Sequence, residues 1–382
     1  MTVSSNSSNF LAQTNPHSHQ NQNSTFEGFD FLRAVFAVSI VALHCYAFFP
    51  GSLKIGTISI GDILRANVAY LAVPAFFQIS LFLFYIKSEK VGPLYLFQKR
   101  LPKLTSLYVF WVGLLIVFNM LLNGKLESLQ HSVSSIKALI EFIVSGGNSP
   151  LYFFFSLAFI TVLAEAVVIS LGRIRKGVLK NSILYSLLVI SCLLLVVFSF
   201  LRSPQASLLQ EPGLVESLSD FSQWDYNPLN FLPYIFVTAI TVREYKLGLL
   251  REGNSKMRLK LLILTVLFLA LTILEWFFSQ DLLHYSRLSL VFGSWILLYL
   301  ALLSTRTVPK IIRFISGCSL GIYTLHLFFT NGLFENPIFS AFNPASQSSL
   351  NLVILFQFGV TLLGSISLTM LFRRVKFLKG FV

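Results

Sequence analysis

Two polar residues of the first apolar segment have the types and spacing that chemistry inside a membrane requires. Arg33 and His44 stand 11 residues apart in FEGFDFLRAVFAVSIVALHCYAFFP. In a helix this spacing puts both side chains on one face, about 16 Å apart along the axis. A guanidinium can bind an anionic ligand, and an imidazole further in can act as a base. Alternatively, Arg33 extends to the interface and His44 makes an ordinary interhelical hydrogen bond.

A second polar stripe occurs near the end of the chain. Ser319, Tyr323 and His326 in FISGCSLGIYTLHLFF are spaced by four and three residues, so they share one helical face. The stripe can line the same cavity as the first pair, or it can form an interhelical hydrogen-bond ladder. Gln78 and Ser80, in AFFQISLFLF, are by themselves typical of interhelical polar contacts.

Five further charges lie in or beside apolar segments. Arg100 and Lys103 are three residues apart at the start of a segment, in QKRLPKLTSLY. There they can bind the phosphates of a ligand or anchor the helix to anionic headgroups. Glu165 and Glu275 can each serve a proton path, pair with a buried arginine or mark a membrane interface, and Arg287 on the outer side completes the set.

The elements that must position these residues are membrane helices. Hydrophobic residues make up 55% of the 382 residues and charged residues only 12%, about half the share usual in soluble domains. Apolar runs near 20 residues predict an all-α integral membrane protein, a bundle of about ten transmembrane helices. The ten segments run 28–50, 62–86, 104–123, 150–171, 183–201, 229–249, 259–278, 288–305, 311–333 and 350–372.

The termini flank this membrane domain of residues 28–372. Residues 1–27 are polar and lack the basic start of a signal peptide, which predicts a disordered N-terminal tail. His17 and His19 in that tail make only a weak metal site, so no metal is predicted. The three cysteines lie in apolar segments and have neither disulfide nor zinc spacing, which indicates packing. Residues 373–382 form a short basic tail.

The net charge of +13 is better explained by membrane topology than by nucleic-acid binding, and no nucleic-acid partner is predicted. Most of the 29 Lys and Arg residues follow the second, fourth, sixth, eighth and tenth segments. Because positively charged loops stay in the cytosol, even-numbered segments end there and both termini are cytosolic. The localisation predicted is integral and multi-pass, in a bacterial inner (plasma) membrane.

In five segments the sequence resembles the acyltransferase 3 family of multi-pass membrane acyltransferases. FDFLRAVFAVSIVALH is similar to its opening signature, which has an Asp three residues before an Arg and a His eleven after it, like Asp30, Arg33 and His44. SLGIYTLH is similar to the late Ser-x-Gly-x-Tyr-x-x-His motif. AFFQISLFLF, FQKRLPKLTSLY and LYFFFSLAFITVLAE resemble the second-helix, third-helix and fourth-helix segments. The departures are Leu81 for a glycine and Lys103 for an arginine, with Tyr152 where tryptophan is common.

This resemblance, over residues 28–331, implies transfer of an acyl group, most often acetyl, from cytosolic acyl-CoA. The acceptor would be a hydroxyl of a cell-surface or exported carbohydrate or glycolipid. Acyl-CoA is then a co-substrate, no permanently bound cofactor is expected, and the other partners are membrane lipids. His44 and Arg33 would be catalytic, with His44 as base or acyl acceptor and Asp30 supporting Arg33. The resemblance implies acyl-CoA binding by Arg33, Arg100 and Lys103, and a cavity lined on the acceptor side by Ser80, Ser319, Tyr323 and His326.

Two other classes of protein share these features. A transporter or flippase for a lipid-linked sugar would have the same polar helix faces without covalent chemistry. A structural or sensor membrane protein would tolerate many substitutions at His44. Turnover of acetyl-CoA by the purified protein would distinguish an acyltransferase from a transporter and from a structural or sensor protein.

Overall fold

The computed structural model describes residues 26–48, 54–55, 58–123, 134–202, 220–224, 226–251, 253–278, 282–330 and 347–382. The predicted N-terminal tail, with its two histidines, lies outside these ranges up to residue 25. The helices of the described part are α1 Glu27–His44, α2 Ile60–Asn67, α3 Ala72–Val91, α4 Leu101–Asn123, α5 Ile136–Val144, α6 Tyr152–Gly172, α7 Gly177–Leu201, α8 Leu232–Lys246, α9 Ser255–Phe278, α10 Leu288–Leu303, α11 Lys310–Phe328 and α12 Gln347–Arg374.

Short elements complete this part of the chain. Strands β1 Lys54–Ile55 and β2 Ile58–Ser59 pair antiparallel, with Lys54 opposite Ser59. A π-helical turn, Leu96–Arg100, leads directly into α4. Single 3₁₀ turns occupy Ala69–Leu71, Pro228–Phe231 and Leu378–Phe381. The helical fold predicted from the apolar runs is confirmed for the described part of the chain.

Each of the ten predicted segments overlaps a helix, and seven stretches are long and apolar enough to cross a bilayer. Helix α1 has 18 residues but includes Glu27, Asp30 and Arg33. Helix α8 has 15 residues and α10 has 16, which is short for a full crossing. The count of ten and the cytosolic side of the termini stay predictions. The seven stretches are Ile60–Val91, Leu96–Leu121, Tyr152–Gly172, Gly177–Leu201, Ser255–Phe278, Lys310–Phe328 and Asn351–Arg374.

Helix α1 lies inside the bundle, packed against α3, α10, α11 and α12. Its aromatic residues Phe29 and Phe36 belong to the main hydrophobic core. By contrast, α9 exposes most of its apolar side chains, as expected for a face that meets lipid. The helix ends at His44, because Tyr46 adopts a positive φ of 55° that an α-helix cannot continue. His44 is thus the last residue of α1, and not a mid-helix residue as the segment 28–50 suggested.

The close approach of α1 and α10 depends on Gly28. A Cβ atom at this position would overlap the backbone of Ala301 on α10. We expect Gly28→Ala to lower the free energy of unfolding by about 1–3 kcal/mol, because the two backbones must separate to admit the methyl group. Thermal unfolding of purified protein in detergent measures the effect. Gly113→Ala on α4 is the control, since its Cβ would meet no heavy atom within 4 Å; equal loss in both variants would contradict the packing argument.

Candidate functional site

The two predicted histidines meet at one end of α1 and α11. The rings of His44 and His326 have centroids 5.0 Å apart and planes tilted by 40°. His326 is fully buried, and its Nδ1 lies 3.2 Å from the carbonyl oxygen of Ile322. A carbonyl can only accept, so this contact places the proton of a neutral ring on Nδ1 and leaves a lone pair on Nε2. That Nε2 atom is buried and has no hydrogen-bond partner in the part of the chain that the structure describes.

The other polar end of α1 is tied to α11 by acidic residues. Asp30 Oδ1 accepts a hydrogen bond from Ser316 Oγ at 2.7 Å and lies 3.9 Å from Arg33 Nη1. Glu27 accepts from Arg313 at 2.7 Å. Asp30 therefore does sit beside Arg33, as expected for a supporting residue. These contacts set the register of α1 against α11. His44, eleven residues after Arg33 on α1, therefore meets His326 of the polar stripe on α11.

One cavity of about 680 Å³ brings together side chains from α1, α3, α4, α6 and α11. Its walls include Phe153 and Leu157. The polar lining contains seven of the predicted site residues, which come from the first and second segments, the start of the third, and the ninth: Asp30, Arg33, Ser80, Arg100, Lys103, Ser319 and Tyr323.

The cavity is strongly cationic. Arg33, Arg100, Lys103 and Arg313 line it, and Asp30 is the one acidic residue in its described lining. Arg100 donates a hydrogen bond to the hydroxyl of Ser80, which links α3 to the turn before α4. The Nε of Arg100 is buried and finds no acceptor among the residues described. Such a site is complementary to an anionic ligand that accepts hydrogen bonds.

Tyr323 connects the cavity to the histidine pair. It lines the cavity, and its ring centroid lies 6.1 Å from that of His326. Its hydroxyl donates to the carbonyl oxygen of Pro150, and its ring packs 5.2 Å from Phe153. The two histidines are not among the residues that line the cavity, and Tyr323 lies beside both the cavity and His326.

Sequence reasoning missed the packing of residues 378–382 against the cavity. The carbonyl of Gly380 accepts from Lys103, and that of Phe381 accepts from Trp111 Nε1 at 3.0 Å. The Phe381 ring stacks on Phe110 with centroids 4.0 Å apart, and Val382 lines the cavity. The segment 373–382 was predicted only as a basic tail. The signal that could have revealed the contact is the alternation of basic with apolar residues in VKFLKGFV.

The remaining predicted polar residues lie elsewhere. Gln78 donates to Ser294 Oγ on α10 at 3.1 Å, the interhelical contact that its sequence context indicated. Glu275 accepts from the buried Arg287 at 2.8 Å, so it is the partner of a buried arginine. Glu165 accepts from Ser88 at 2.5 Å on another side of α3. No group of three or more His, Cys, Asp or Glu within the described ranges is placed to hold a metal ion.

An apolar helical bundle with several stretches long enough to cross a bilayer defines a multi-pass membrane protein, and this one contains a cavity lined by cationic side chains. The family model of the acyltransferase domain matches residues 26–370, which is nearly the whole chain. The chain therefore belongs to this family of membrane acyltransferases, as the resemblance predicted. No curated protein and no solved structure matches the chain.

Proposed function

We propose that this acyltransferase moves an acyl group, in the first place acetyl, from cytosolic acyl-CoA to a hydroxyl of an exported carbohydrate or glycolipid. The observation that carries the proposal is the single cavity lined by Arg33, Arg100 and Lys103, with Tyr323 joining it to the histidine pair. The three cations fit an anionic donor, and the imidazoles supply a base. The protein would work in a bacterial inner membrane, with both termini cytosolic.

The donor would bind with its phosphates on the basic residues of the cavity. CoA is anionic, and guanidinium groups bind phosphates through two parallel hydrogen bonds. The unsatisfied Nε of Arg100 offers one such donor in addition to its bond to Ser80. A volume of about 680 Å³ accommodates the acylated arm of CoA, whose thioester would point along Tyr323 toward His44.

The reaction at His44 can follow one of two routes. In direct transfer, His44 removes the proton of the acceptor hydroxyl, whose oxygen attacks the thioester carbonyl. The carbon–sulfur bond breaks, and the CoA thiolate takes the proton from the imidazolium. In the second route, a nitrogen of His44 attacks the thioester carbonyl, the carbon–sulfur bond breaks, and the CoA thiolate leaves and takes the imidazole proton. The acceptor hydroxyl then attacks the carbonyl of the acyl-histidine, the carbon–nitrogen bond breaks, and the hydroxyl proton passes to the freed imidazole. In both routes the Nε2 lone pair of His326 can accept an N–H bond from a reoriented His44 and hold its tautomer.

Arg33→Ala is expected to raise the dissociation constant for acetyl-CoA about 10-fold to 100-fold. The reason is the loss of one charge-assisted contact with the donor, worth about 1.5–3 kcal/mol. Equilibrium binding of acetyl-CoA to purified protein measures this without any acceptor. Lys137→Ala is the matched control, because Lys137 lies on the exposed helix α5 and its ion-pair partner among the described residues is the exposed Asp220 at 3.9 Å. Unchanged binding by Arg33→Ala would exclude its role toward the donor.

Acetyl-CoA turnover tests the class of function as a whole. Purified protein in lipid discs should bind acetyl-CoA and release CoA thiol when a crude carbohydrate acceptor fraction is added. A protein that only moves a lipid-linked sugar across the membrane would release none. Absence of both binding and thiol release would overturn the proposed function.

A further inference from the structure

The cationic cavity changes in character along its length. On α11 its lining begins at Arg313, which pairs with Glu27 of α1, and ends at Tyr323, which lies beside His326. These ten residues of helix span about 15 Å. Asp30 lies at the Arg313 end, because it accepts from Ser316 one turn further along α11. The end beside the histidine pair has a different, aromatic lining.

Three aromatic rings from three helices meet at that inner end. Phe153 of α6 lines the cavity, and its ring centroid lies 5.2 Å from that of Tyr323. Phe76, the first lining residue on α3, has its ring centroid 6.4 Å from that of Phe153. A ligand that extends from the basic end toward His326 therefore meets the ring of Phe153.

The ring of Phe153 is held in place from behind. It stacks on Phe77 with centroids 4.7 Å apart and planes within 12°, and Phe77 packs 4.7 Å from Phe231. Both of these supporting side chains are fully buried. Tyr323 is also held, because its hydroxyl donates to the carbonyl oxygen of Pro150. In a close-packed interior, Phe153 cannot turn away without displacing this stack.

The position of this ring matters for the donor, and here the inference rests on the proposed function. If the phosphates of acyl-CoA bind the basic side chains, the thioester must extend toward the histidine pair, and the acyl group reaches the aromatic end. An acetyl group adds only a methyl beyond the carbonyl carbon. Each further methylene group has to find space where the supported ring of Phe153 already stands.

We propose that Phe153 determines the length of the acyl group and restricts the donor to short acyl chains. Its ring forms a fixed inner wall, so a longer chain overlaps it instead of gaining contacts. Replacement of the ring by a methyl group opens an apolar space beside Phe76 and Phe77. A longer acyl chain can fill that space and bury its methylene groups there.

The test is the affinity of purified protein for acetyl-CoA, butyryl-CoA and hexanoyl-CoA, each measured in competition with labelled acetyl-CoA and without an acceptor. The wild type is expected to bind acetyl-CoA most tightly. In Phe153→Ala the affinity for butyryl-CoA relative to acetyl-CoA should rise about 10-fold, the effect of burying two additional methylene groups. A wild type that binds hexanoyl-CoA as tightly as acetyl-CoA would overturn the proposal, as would a wild-type affinity ratio in Phe153→Ala.

Leu157→Ala is the matched control, because Leu157 lines the same cavity one turn further along α6. It should change all three affinities by the same factor, and a chain-length shift equal to that of Phe153→Ala would contradict the assignment to Phe153. Phe153→Leu is the milder variant if the alanine variant does not fold, and a smaller shift in the same direction is expected.

The same titration distinguishes failure of this inference from failure of the proposed function. Binding of acetyl-CoA by the wild type, with an unchanged chain-length ratio in both Phe153 variants, would overturn the role of Phe153 alone. A wild type that binds none of the three acyl-CoA molecules would overturn the proposed function and this inference with it.

Discussion

Replacement of His44 by alanine is expected to lower the rate of acetyl transfer by about 10²-fold to 10⁴-fold, the usual contribution of a general base. The imidazole lies 5.0 Å from that of His326, and Tyr323 connects this pair to the cationic cavity. Because His44 does not line the cationic cavity, the affinity for acetyl-CoA should change little. Transfer of labelled acetyl from acetyl-CoA to the cell-envelope fraction measures the rate in membranes that contain the variant.

His326→Ala and the double variant show whether the two imidazoles act as one unit. If His326 holds the tautomer of His44, His326→Ala also slows transfer, and the double variant is no slower than His44→Ala alone. His326→Gln should restore part of the rate, because its amide can still make one polar contact at that position. A transfer rate in His44→Ala equal to that of the wild type, at equal amounts of folded protein, would rule out His44 as base and as acyl acceptor.

The residues of the site could be predicted from the sequence because helical periodicity is local. Spacings of three, four and eleven residues determine which side chains share a face, whatever the neighbouring helices are. Arg33, Tyr323 and Ser319 accordingly line one cavity, as their spacing suggested. The cost of burying ionisable groups in apolar segments also indicated α1, a helix that lines the cavity through Asp30 and Arg33.

Contacts between distant segments could not be predicted in the same way. Helical periodicity predicts which face of a helix is polar, but it does not predict which other segment that face contacts. The hydrogen bond from Lys103 to the carbonyl oxygen of Gly380 could therefore not be predicted. Glu165 was open to three interpretations, and among the described residues its observed partner is Ser88, not a buried arginine. Helix α5, Ile136–Val144, is too short and too exposed to give a membrane-segment signal.

Arg287 provides the largest expected effect on stability. Its side chain is fully buried and donates to Glu275 at 2.8 Å, to Asn67 at 2.7 Å and to the carbonyl oxygen of Ala66 at 2.8 Å. It thereby joins the end of α2, the helix α9 and the segment before α10. Arg287→Ala is expected to lower the free energy of unfolding by about 3–5 kcal/mol, because it leaves the Glu275 carboxylate without its compensating charge. Thermal unfolding in detergent measures the loss.

A double-mutant cycle separates the buried ion pair from mere loss of packing. Glu275→Gln combined with Arg287→Met removes both charges, so it should cost less than Arg287→Ala alone. Arg287→Lys should remain destabilised, because a single ammonium group cannot reach acceptors on three elements at once. The exposed pair of Lys137 and Asp220, 3.9 Å apart, is the reference, and its removal should change stability by less than about 1 kcal/mol. If Arg287→Ala were no more harmful than Lys137→Ala, the network would be incidental, and the link between α2, α9 and α10 would have to rest on apolar packing alone.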